Sequence, residues 1–119
     1  MRIWGRAEVL QWMFFEQYSH EPYIAVCRFQ MVYLGKPASD LDPDKIKRGY
    51  AALARMEHEL AATRFLVGDA VSLADISLMP YVAGLAMVEA AHLIGDLRHL
   101  SRWWAEVSAR PSWQRTIAA

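Results

Sequence analysis

The groups able to attack a carbon, move a proton or hold a metal are few in this chain, and their spacing suits none of those tasks. One thiol, Cys27, and four imidazoles, His20, His58, His92 and His99, stand among 119 residues. A nucleophilic cysteine needs an imidazole or positive charge at its sulfur, and no spacing here matches such a pair. Cys27 lies in the apolar run Tyr23-Ile24-Ala25-Val26-Cys27 and reads as a small buried hydrophobe. His20 beside Glu21 makes a poor metal site. His-x3-His and Cys-x2-Cys are both absent, so no metal ligand is expected. The chain also lacks a glycine-rich phosphate loop and a Gly-x-Ser-x-Gly elbow.

What remains is aromatic and apolar. Hydrophobic residues make up 55% of the chain and charged ones 22%, an excess of apolar surface that implies a partner. Thirteen basic and thirteen acidic side chains cancel, which removes the electrostatic footprint of a nucleic-acid or anionic-membrane binder. No apolar run nears the roughly 20 residues that span a bilayer. One cysteine excludes an internal disulfide framework, and with no signal peptide the expected compartment is the cytoplasm.

The length suits one domain with its own core, taken as residues 1–119. Apolar spacing predicts a helical run from Arg6 to Tyr33, either one long helix or two joined by a bend near His20-Glu21-Pro22, where proline removes a donor. Asp42-Pro43 supplies an acidic cap with proline at the first helical position. Ile46, Tyr50, Leu53, Met56 and Leu60 then follow at core spacing. A very apolar helix is expected from Ser72 towards Ala91 with Pro80 inside it, then a turn at Gly95-Asp96. The chain should finish with a helix from Leu97 to Ala109 and a last turn from Ser112 to Ile117. Nothing alternates with period two, so the expectation is an all-α bundle of about five helices.

The fullest local signal is Val71-Ser72-Leu73-Ala74-Asp75-Ile76. Ser72 and Asp75 have the form of a capping box, and Val71 and Ile76 that of a hydrophobic staple. On the first helix, about 100° per residue puts Val9, Leu10, Met13 and Phe14 on one arc, read as core. Trp12 falls opposite, with Phe15 at its edge. That second apolar face is expected to meet another subunit or domain, with a half-exposed tryptophan as the plain alternative.

The run Phe65-Leu66-Val67-Gly68-Asp69 leading into that box resembles the capping-box and staple motif of the α-helical C-terminal domain of cytosolic glutathione S-transferases, bacterial type. Arg6-Ala7, Gln11 to Gln17, and Trp103-Trp104-Ala105-Glu106-Val107-Ser108-Ala109-Arg110-Pro111 extend the likeness along nearly the whole chain. The resemblance implies that the first helix lines a cleft facing an N-terminal thioredoxin-like domain. Phe14 and Tyr18, with Gln11 and Tyr81, would then bind a hydrophobic electrophilic small molecule, although Phe14 serves equally well as plain core. Trp12 and Phe15 would pack across a homodimer. Glutathione is the co-substrate in such proteins and is held by the N-terminal domain, so no cofactor is expected in this chain. The residues that activate the glutathione thiol belong to that domain, and none of it is present here. The chain therefore reads as an excised C-terminal domain or an orphan, inactive alone. A non-catalytic assembly module and a carrier of hydrophobic molecules are the rival readings of this fold.

Overall fold

The computed structural model of the chain describes residues 3–85 and 96–119. The first helical rod begins with α1 (Ile3–Phe15), passes through a π-helical turn (Glu16–His20) and continues as α2 (Glu21–Val32). Pro22 explains the interruption. Its ring crowds the carbonyl four residues back and it has no N–H to donate, so the turn before it widens. The backbone N–H of Glu21 accordingly reaches five residues back, to the carbonyl of Glu16.

A short 3-10 turn (Ala38–Asp40) leads to α3 (Pro43–Leu60), started as expected by Asp42, whose carboxylate accepts from the N–H of Asp44 at 2.9 Å. Its buried face is Gly49, Ala52, Leu53, Met56 and Leu60. Ile46 is only partly buried and Tyr50 is exposed, because the face is centred about 40° around the helix from where the large side chains suggested. Gly49 sits where a Cβ would lie 3.4 Å from Ile24, so a larger residue there would press on the α2–α3 contact. Gly68 turns the following loop with φ 76°, a conformation that favours glycine, and its carbonyl accepts from the N–H of Phe65.

Helix α4 (Leu73–Gly84) carries Pro80 inside it and packs against α1, α2 and α5 (Arg98–Ser108). The expected continuation through Ala91, the glycine of the Gly95-Asp96 turn and His92 lie outside the described residues. After α5, Arg110-Pro111 starts α6 (Pro111–Ala118), longer than the single turn expected. With α1, the π turn and α2 counted as one rod, the described residues form five helical rods and no strand.

Helices α3 and α5 cap each other. The Glu57 carboxylate accepts the N–H groups of His99 and Leu100 at 2.8 and 2.6 Å, closing the open start of α5. In return the Arg102 guanidinium donates to the carbonyl of Leu60 at the end of α3 and to those of Thr63 and Arg64 beyond it. Orphan groups at two helix ends are satisfied by one exchange. The core between these helices is Trp12, Ile24, Leu53, Met56, Leu60, Leu66, Leu78, Val82, Leu100, Trp103 and Val107, with Trp104 and Trp113 packed on its edge.

Candidate functional site

Helix α4 enters the bundle on the capping box that its sequence announces: the Ser72 hydroxyl accepts from Ala74 N–H at 3.2 Å, and the Asp75 carboxylate accepts from Ser72 N–H at 2.9 Å. The box reaches further than its local pattern shows. Asp75 is fully buried and also accepts from Leu66 N–H at 3.0 Å and from the indole N–H of Trp103 at 2.7 Å. One carboxylate thus joins the preceding loop, the start of α4 and the middle of α5. Val71 packs on the core, but Ile76 is exposed, so the staple is made from one side only.

The facing of α1 differs from the expectation. Trp12 is 8% exposed and belongs to the core, its ring edge-on to Phe15 at 5.2 Å and under the Arg55 guanidinium at 5.8 Å. Phe15 is partly buried against the same core. Trp12 therefore does not lie on the free second face that the wheel gave it, and Phe15 does so only in part. Leu10 and Phe14, read as core, point outward, with Phe14 73% exposed. The reason is Glu16. An ordinary wheel puts a carboxylate in water, whereas this one is buried and accepts both bonds of the Gln17 amide, at 2.7 and 3.0 Å. The buried line is therefore Val9, Trp12, Glu16, His20 and Ile24.

Sequence reasoning missed Glu16 and the depth of His20, and that line of three- and four-residue steps was the signal that could have found them. His20 is fully buried between the rings of Phe15 and Tyr81, at 6.1 and 5.9 Å, and its nitrogens have no partner among the described residues. Burial pulls its pKa down to about 4, so the imidazole is neutral at pH 7. Tyr81 is partly buried. Burial first, then a hydrogen bond to Glu16 and the charges of Glu16 and Glu21, push its phenol up to about 12.

Opposite the buried line, Leu10, Gln11, Phe14, Gln17 and Tyr18 are all exposed, with Tyr18 at 81%. The structure thus brings Gln11, Phe14 and Tyr18 together on one outward face, while Tyr81 stands behind the π turn and meets its inner side. Rings, a phenol and amides bind and orient an apolar or aromatic compound. They do not supply the positive charge or clustered donors that lower a thiol pKa. No group of three or more potential metal ligands occurs among the described residues, and none of their helices is long and apolar enough to cross a membrane.

Fold and face define an all-α domain that turns aromatic side chains outward from a rod pinned on its other side. The chain belongs to the glutathione S-transferase C-terminal domain family, whose pattern it matches over residues 23–111. It is 32% identical over 118 residues to glutathione S-transferase F10 of Arabidopsis thaliana, covering 95% of this chain and 55% of that protein. The crystal structure of a glutathione S-transferase from Pseudomonas fluorescens is similar at 42% identity and TM-score 0.80, over 90% of this chain and 53% of that one. Glutathione transferase F7 from Populus trichocarpa is similar at 27% identity and TM-score 0.89, over 98% and 57%. The chain spans about half the length of the curated relatives it matches.

Proposed function

We propose that this domain forms the wall of the hydrophobic co-substrate pocket of a glutathione S-transferase, with Phe14 and Tyr18 stacking on an electrophilic small molecule and Gln11 at its edge. The observation that carries this reading is the outward aromatic line on α1, on a chain of this family. A thioredoxin-like half would hold and ionise the glutathione, and catalysis would need both halves. The same reading includes a homodimer and a cytoplasmic setting. A bacterial-type relative fits best, because identity to the Pseudomonas fluorescens structure is 42% against 32% to the Arabidopsis thaliana protein.

This division of labour predicts that the 119-residue chain alone adds nothing to the uncatalysed rate of glutathione conjugation with an activated aryl halide. The check is absorbance of the conjugate across a tenfold range of protein concentration. Turnover that scales with protein and survives repurification would require a thiol-activating site within these helices.

A further inference from the structure

His20 ends the π turn and is fully buried, and neither of its ring nitrogens has a partner among the described residues. Its neighbours are rings, Phe15 at 6.1 Å on the same rod and Tyr81 at 5.9 Å on α4. An apolar side chain would suit that place, whereas an imidazole leaves two polar atoms there with nothing to bond. The other buried polar side chains are satisfied. Asp75 accepts from three donors and Glu16 from the Gln17 amide.

Charged and titratable groups surround the ring without bonding to it. Glu16 and Glu21 lie on its own rod, and Tyr81 faces it from α4. On α3 the buried positions Ala52, Leu53 and Met56 carry no charge, and the Arg55 guanidinium lies over Trp12, roughly two turns before His20. A neutral imidazole is tolerable in such a place. An imidazolium would be a buried charge without a partner, which costs far more.

We propose that His20 is an acid trigger built into the π turn: its ring keeps its place between Phe15 and Tyr81 only while neutral, and a proton on it opens the fold at that turn. The proposal needs neither a ligand nor the pocket reading. Burial lowers the pKa of the folded chain from 6.5 to about 4, so between those values the unfolded chain binds a proton that the folded chain refuses. Stability is therefore full above the unfolded value and is lost as the pH falls towards the folded one.

The test reads urea unfolding of the 119-residue chain at pH 7 and pH 5, beside His20→Gln, which is polar but does not titrate. Groups other than His20 act on both chains alike. From pH 7 to pH 5 the wild-type unfolding constant should rise about twentyfold more than that of His20→Gln, as the two pKa values require. A difference below about threefold overturns the proposal. If His20→Gln does not fold, His20→Leu takes its place with the same expectation. If neither folds, NMR of the wild-type chain decides. The His20 ring signal, assigned through its backbone, should stay fixed from pH 7 to pH 5, and one that titrates near the ordinary histidine value in the folded chain overturns the proposal.

Discussion

Replacing Asp75 with alanine lowers the melting temperature by roughly 12 °C, several times the effect of Ser72→Ala. The carboxylate accepts from Leu66 N–H, Ser72 N–H and the Trp103 indole, and all three donors lose their partner together. A buried donor left unpaired costs about 1–3 kcal/mol, so the total is at least about 3 kcal/mol. At roughly 4 °C per kcal/mol for a domain near this size, the shift follows. Ser72→Ala removes one cap bond and costs about 1 kcal/mol. Trp103→Phe keeps a six-membered ring but loses one donor and the packing of the pyrrole portion, so it should fall between them. Thermal melts followed by circular dichroism check the order. Asp75→Ala and Ser72→Ala melting within a degree of each other would mean that the links to Leu66 and Trp103 contribute nothing.

Trp12→Glu abolishes cooperative folding, and Phe14→Glu does not. Trp12 lies in the core between Phe15 and Arg55, and removing an indole from such a place costs about 3–5 kcal/mol before any charge is considered. The new carboxylate would lie one turn from buried Glu16, with only the half-exposed Arg55 guanidinium near it. Set against a total stability of about 5–15 kcal/mol, the two losses leave little folded chain. Phe14 faces water, so a charge there should change stability by no more than about 0.5 kcal/mol while spoiling an apolar contact. Near-ultraviolet circular dichroism separates the two, with a native aromatic signal for Phe14→Glu and none for Trp12→Glu. A folded Trp12→Glu chain would restore Trp12 to the surface.

The contrast between those two side chains shows where the sequence was legible. Signals confined to a few neighbouring residues were read correctly: the Asp42-Pro43 start of α3, the Ser72–Asp75 box, the Arg110-Pro111 break and the interruption just before Pro22. Each is a local contest over backbone hydrogen bonds, and the deciding residue lies within one turn. The facing of α1 is a different kind of question. Apolar residues surround that helix, so periodicity alone does not decide its facing, and the burial of Trp12 and Glu16 turns the core face away from Leu10 and Phe14. The exchange between Glu57 and Arg102 joins helices about forty residues apart and leaves no trace in either local pattern. Phe14 and Tyr18 were picked out through family likeness. Their exposure then came from a face that periodicity alone had assigned to the core.

The most direct measurement joins this chain to the part of its 42% identical Pseudomonas fluorescens relative that it does not cover, and follows glutathione conjugation of an apolar electrophile. The joined protein should turn over well above the uncatalysed rate. Phe14→Ala within it should raise KM for the electrophile while leaving KM for glutathione unchanged. If the joined, folded protein conjugates equally well with Phe14→Ala and Tyr18→Ala combined, the outward face of α1 is not the wall of the pocket.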